Sequence, residues 1–309
     1  MAKKVKAFFR KFGSSFVEAF REWNERQPFA SSAVIAYYTI FSLPGLMVII
    51  INVAGYFFGK EAVTDQVILQ VQGLAGGNTG ELIKQVVAET SETKGSVISS
   101  ILGIATLIFG ATGVFYMVQQ ILNKIWEVKP KPKQKFLKLA RDRLFSFGLI
   151  LVIGFLLLVS LVISAALTAV SDWLRGRLPD ALLVLFNVLD LLISMAIITV
   201  LFAAMFKFLP DVHVAWKQVW VGAILTTVLF VIAKYALGLY FGQSDPGSAY
   251  GAAASVVLLM LWVSYSSLLL LFGAEFTRVW AKKSGSAVRP VSYAVSEPDP
   301  GGVGSKEKK

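Results

Sequence analysis

The chain has no cysteine and one histidine, His213, in 309 residues. The first absence excludes disulfides, a thiolate nucleophile and a cysteine-ligated metal. The second leaves too little imidazole for a histidine-rich metal centre. A Walker-type phosphate loop is missing, so ATP is not expected to act directly through such a site. Acidic residues number 19 against 30 lysines and arginines, and they do not cluster as ligands of a metal-dependent hydrolase would. No cofactor is expected, and no enzyme.

Charge is also missing over long stretches. Ser248 to Ala274 holds no charged residue. At ~1.5 Å per residue that run makes ~40 Å of helix, longer than the ~30 Å hydrocarbon core of a bilayer. Five similar runs precede it. The chain is 56% hydrophobic, with mean hydropathy +0.67, above the roughly 45–50% of soluble domains. The expected fold is an all-α integral membrane protein with six transmembrane helices, at about 29–58, 96–121, 144–170, 181–206, 219–241 and 248–274.

Four further segments surround the spans. Residues 1–28 read as an interfacial amphipathic helix, in which Phe9, Phe12, Phe16, Phe20 and Trp23 share a face among seven basic residues. The competing reading is a helix packed on loops. The apolar run begins near Phe29, too late and too long for a signal-peptide core. Residues 60–95 read as an outer, periplasmic insertion of two short helices, the second opened by Asn78 and Glu81 as a capping box. Residues 129–135 alternate lysine and proline into a stiff cationic loop. Residues 284–309 read as a disordered cytoplasmic tail.

The net charge of +11 raises the question of nucleic acid. In a membrane protein, basic loops more simply report topology. In the six-span reading, 24 lysines and arginines fall on the side of the termini and 5 on the other, with Lys234 inside the membrane. Both termini are therefore expected in the cytoplasm. Anionic membrane lipids are the expected partners there. A homo-oligomer or envelope partner proteins are further expectations, and a specific nucleic acid is not.

Asp190 and Lys234 are the carboxylate and the amine set deep within spans, at ~15 Å and ~12 Å from the outer ends of the fourth and fifth. An unpaired charge there costs at least ~2.5–3.5 kcal/mol, so an ion pair is expected. Asn187 and Ser194 share the face of Asp190, and Thr227 shares that of Lys234. Two readings stand: an outward-open polar cavity for a substrate or proton, or a structural pair. Tyr38, Ser42 and Asn52 form a polar face on the first span, where a kink is expected at Pro44-Gly45. Trp262, Ser266 and Gly273 line up on the sixth. These faces fit either close helix packing or a substrate or ion pathway.

Four stretches carry a resemblance. They are AYYTIFSLPG at 36–45, FKFLPDV at 206–212, YGAAASVVLLMLWVSY at 250–265 and LFGAEFTRV at 271–279. With the span spacing, they resemble the YihY/BrkB family of membrane proteins, formerly labelled ribonuclease BN-like. The matched positions include Tyr37, Pro44, Pro210, Tyr250, Gly251 and Glu275. The resemblance implies a multi-span bacterial inner-membrane protein and points to transport and envelope lipids. The function expected is transport or flipping of an amphiphilic or anionic envelope substrate. The alternative is a non-transporting scaffold. Ribonuclease activity is not expected, because the residues offer no site for metal-assisted phosphodiester hydrolysis.

Overall fold

The computed structural model describes residues 2–75, 112–131, 148, 180–244, 250, 253–286 and 288–296. Helix α1 spans Ala2–Glu25, α2 Pro28–Phe58 and α3 Lys60–Ala75. Residues 112–125 form α4 and lead into strand β1, Val128–Pro130. Helix α5 (Asp180–Phe208), strand β2 (Val212–His213) and helix α6 (Trp216–Ser244) follow. Helix α7 (Ala254–Lys283) and strands β3 (Arg289–Pro290) and β4 (Ala294–Ser296) complete the described chain.

Among the described residues three helices are long and apolar enough to cross a membrane, over Leu191–Phe208, Trp216–Tyr240 and Val256–Lys283. A shorter apolar stretch, Pro28–Leu43, lies in α2. The fold is thus largely helical with several long apolar helices. The expected third span and the second helix of the 60–95 insertion fall outside the described residues, as does most of the second span. The insertion's first helix is α3, which packs on α2 and α7 and buries Val63 and Ile68. Helix α2 runs through Pro44 without a break.

Helix α7 is central, packing against α1, α2 and α6. Its seam with α6 follows from four small residues. Gly222 and Gly273 each face a threonine of the other helix, Thr277 and Thr226. Each threonine hydroxyl donates to the glycine carbonyl one turn back, Thr226 to Gly222 at 2.8 Å and Thr277 to Gly273 at 2.7 Å. The polar atoms are thus satisfied within their own helix, and the backbones approach as small residues permit. A Cβ on either glycine would overlap the facing Oγ1.

Helix α7 continues for nine residues past Ala274, the expected end of the sixth span, through Glu275 and Arg278. The charges there pair with one another, and Lys282 and Lys283 suit the negative end of the helix dipole. Helix α1 packs on α7. Phe12, Phe16 and Trp23 pack on Phe272, Phe276 and Trp280 of α7, with Phe12 and Phe276 centroids 5.2 Å apart. Phe9 and Phe20 of the same aromatic face stay exposed. The tail is not irregular throughout. Strand β4 pairs antiparallel with β1, Lys129 opposite Val295, and β3 pairs with β2, His213 opposite Arg289. Composition misses this because strands of two or three residues carry no readable pattern, although Val128, Val212 and Ala294 in them are buried.

Candidate functional site

Arg26 closes α1 and is followed by Gln27, at φ 52°, and by Pro28 at the start of α2. The sharp reversal turns Arg26 back toward α7. Its Nη2 lies 2.6 Å from Glu127 Oε1 and its Nε 3.1 Å from Glu275 Oε2. Arg278, one turn beyond Glu275, reaches Glu275 Oε1 at 2.7 Å, Glu127 Oε1 at 2.9 Å and also Glu22. Glu275 has no accessible surface, and its Oε2, though within ion-pair distance of Arg26, has no aligned hydrogen bond. Glu127, the bridging carboxylate, also has a left-handed backbone, φ 55°. Gln27 and Glu127 are the two non-glycine residues with positive φ among the described residues; Glu127 belongs to this cluster and Gln27 follows its Arg26 in the chain. Such conformations cost ~1–3 kcal/mol each and persist only where surrounding contacts enforce them.

Three cavities follow one another along α7. The first, about 270 Å³, is apolar and bordered by Phe202, Phe230, Trp262 and Leu270, with Ser266 and Ser267 as its polar members. The second, about 20 Å³, is roughly one water across and is lined by Arg26, Ser31, Leu271 and Glu275 among others. The third, about 410 Å³, is a polar crevice lined by Arg21, Glu22, Glu25, Arg26, Glu127, Arg278 and Lys282. By their α7 lining residues, the charged cluster lies between an apolar space and a polar one, beside the smallest of the three cavities.

A second polar node braces the same end of the bundle. Asp211, buried in the turn after α5, accepts from Asn123 Nδ2 at 2.8 Å and from the Tyr293 hydroxyl at 3.2 Å. Its own backbone N–H donates to Asn123 Oδ1 at 2.7 Å. Lys131 N–H donates to the Tyr293 carbonyl and Val291 N–H to that of Asp211. The end of α4, the α5–α6 turn and the strands after α7 are thus tied together.

The expected site residues scatter. Trp262 and Ser266 line the apolar cavity. Thr227 is buried and accepts from Thr199 at 3.0 Å, a contact between α6 and α5. Ser42 is buried and accepts from Val114 N–H at 3.2 Å, and Tyr38 lies on the same side of Gly113. Gly273 belongs to the α6–α7 seam. Lys234 is exposed, Ser194 is half-buried, and Tyr37 and Tyr250 are exposed. Pro210 is buried beside Asp211. The side chains of Asp190, Asn187, Asn52 and Pro44 lie outside the described residues, as does Gly251, so the expected Asp190–Lys234 pair is not among the contacts described. Glu275 was singled out by motif alone. Its partners Glu22, Arg26 and Glu127 were not, although an i,i+3 Glu275–Arg278 pair ending an apolar helix is a readable signal.

An all-α protein with several membrane-length helices, and with its polar site at one end of them, is an integral membrane protein. Comparison supplies the family: the model described as "Virulence factor BrkB" matches residues 19–294, and the chain belongs to that family. It is 29% identical over 291 residues to a UPF0761 membrane protein of Saccharophagus degradans, covering 91% of this chain and 63% of the relative. A UPF0761 membrane protein of Teredinibacter turnerae is 26% identical over 283 residues, with 92% and 63% covered. One from Ralstonia nicotianae is 31% identical over 173 residues, with 56% and 37% covered. The chain thus spans under two thirds of the length of these relatives. No solved structure matches it. The family makes it a multi-pass protein of the bacterial inner membrane. Among the described residues no group of three or more His, Cys, Asp or Glu is placed to hold a metal.

Proposed function

We infer that the protein carries an amphiphilic substrate of the envelope across the membrane along α7. One observation supports this above others: an apolar cavity, a one-water constriction and a polar crevice stand in sequence along one helix. An acyl chain suits the first, because its walls are almost wholly apolar and offer van der Waals contact without demanding hydrogen bonds. The charged headgroup of such a substrate suits the crevice, where Arg21, Arg26, Arg278 and Lys282 stand among Glu22, Glu25 and Glu127. The crevice end carries most of the basic residues, so it is taken as the cytoplasmic end, facing anionic lipid, with both termini inside and six spans in all.

The test is flux in proteoliposomes of phosphatidylethanolamine and phosphatidylglycerol, followed with a fluorescent phosphatidylglycerol analogue. Protein-containing vesicles should exchange the analogue between leaflets faster than empty ones. Ser266→Phe, which fills the apolar cavity, should slow this by about tenfold or more, the effect of ~1.4 kcal/mol on a barrier. Exchange no faster than in empty vesicles would overturn transport and leave the scaffold reading.

A further inference from the structure

The carboxylates of the charged cluster are not equivalent: the Glu127 and Glu22 side chains keep solvent access, at 43% and 19%, while Glu275 has none. Glu275 lines the constriction together with Arg26. A buried carboxylate whose Oε2 accepts no aligned hydrogen bond is costly to keep charged, and taking up a counter-charge relieves the cost. The space beside Glu275 is about 20 Å³, room for about one water and too small for a hydrated metal ion or an organic cation. A proton fits these limits.

We propose that Glu275 is a proton-binding site that latches the constriction between the apolar cavity and the polar crevice. Charged, Glu275 holds Arg26 across the opening. On taking one proton from solvent at Oε2 it becomes neutral, its 3.1 Å hold on Arg26 Nε is lost, and Arg26, already 2.6 Å from Glu127, is free to turn wholly to that partner. The proton leaves by the same route when Arg26 returns. As the energy source for transport this rests on the pathway inferred above.

Other charged groups around Glu275 enter the comparison. Helix α4 brings Lys124, which lines the constriction but is exposed. Helix α2 brings Pro28 and Ser31, neither charged. Helix α1 adds Arg21 and Glu25 at the crevice, and α7 adds Lys282. Glu18 pairs with Lys283 at 2.7 Å, one further ion pair between α1 and α7. It serves as the control.

With no native cysteine, a single introduced one reports access to the constriction. Ser31→Cys lines it and Ala30→Cys is exposed next door. The measurement is the ratio of their reaction rates with a small methanethiosulfonate, taken from pH 8 to pH 5 on the full chain in phosphatidylethanolamine–phosphatidylglycerol vesicles. The ratio should rise at least about fivefold on acidification, the lower range of coupling between linked sites. Glu275→Gln should hold it high at every pH, and Glu18→Gln should leave the transition in place. If Glu275→Gln does not fold, Glu127→Gln decides: removing a like charge should move the transition to lower pH. A ratio flat with pH, a transition surviving in Glu275→Gln, or one unmoved in Glu127→Gln would overturn the proposal. Flux on the same vesicles separates the two readings. A pH-dependent ratio without flux keeps the proton site and overturns transport.

Discussion

Asp211→Ala offers a sharp test of how the polar end of the bundle is held. The side chain is buried, and its two close side-chain donors are Asn123 Nδ2 at 2.8 Å and the Tyr293 hydroxyl at 3.2 Å. Gln119 Nε2, at 3.5 Å, is too long to count for much. Alanine leaves the buried Asn123 amide without this acceptor, at ~1–3 kcal/mol, and removes the Tyr293 contact, worth ~0.5–1.5 kcal/mol more, so a loss of ~1.5–4.5 kcal/mol follows. Asparagine behaves differently. Its oxygen can still accept from Asn123, and its amide can donate to the Tyr293 hydroxyl, which accepts as readily as it donates. The expected loss is then ~1–2 kcal/mol, the charged hydrogen bonds being exchanged for neutral ones. The assay is denaturant unfolding of the detergent-solubilised protein followed by tryptophan fluorescence, with Tyr293→Phe added to close a double-mutant cycle. A loss under ~1 kcal/mol for Asp211→Ala, or equal losses for the two variants, would refute the reasoning. Additivity of Asp211→Ala with Tyr293→Phe would show that the hydroxyl contact carries no energy.

Two further outcomes are expected. Gly273→Ala or Gly222→Ala should destabilise by at least ~1–3 kcal/mol in the same unfolding assay, because the new Cβ overlaps the facing threonine, and Thr226→Ala should partly relieve Gly273→Ala. The hydrogen bond from Lys283 holds the Glu18 carboxyl below its ordinary range, so this pair strengthens the α1–α7 contact above the usual glutamate range and fades as pH falls through the lowered value. Hydrogen exchange in α1 should therefore quicken at acid pH, and Glu18→Gln should remove that part of the response.

The apolar runs that became α5, α6 and α7 were legible because an uncharged stretch of that length has few other fates. The aromatic stripe of α1 was legible as a stripe, but its partner was not. Periodicity shows that Phe12, Phe16 and Trp23 share a face, not whether lipid or Phe272, Phe276 and Trp280 cover it. The strands after α7 escaped notice for a related reason. Two and three residues of strand have no periodicity to detect, and their register is set by β1 and β2, more than 70 residues away in the chain. The charged cluster around Glu275 was not read as a site. Charges within a span draw attention to Asp190 and Lys234 instead. Glu22, Arg26 and Glu127 look like ordinary surface charges in the sequence. Only the turn at Gln27 and the end of α4 bring them to Glu275.

The two sides of the constriction are built differently, and this bears on which side moves. On one side α6 and α7 meet through glycine against threonine, with no room for either helix to advance and each hydroxyl satisfied within its own helix. Such a seam resists sliding, because any shift brings Oγ1 into backbone. On the other side α1 meets α7 through aromatic rings at angles, such as Phe16 on Phe272 at 67° and Phe8 on Trp280 at 73°, and through ion pairs near solvent. Ring contacts of this kind keep much of their energy over small displacements, and exposed ion pairs contribute little. The strained backbones of Gln27 and Glu127 lie on this second side too. Strain there favours release once the ion contacts that enforce it weaken. A change of charge at Glu275, which is fixed on the rigid α6–α7 pair, would therefore move Arg26 and the α1–α2 junction rather than α7.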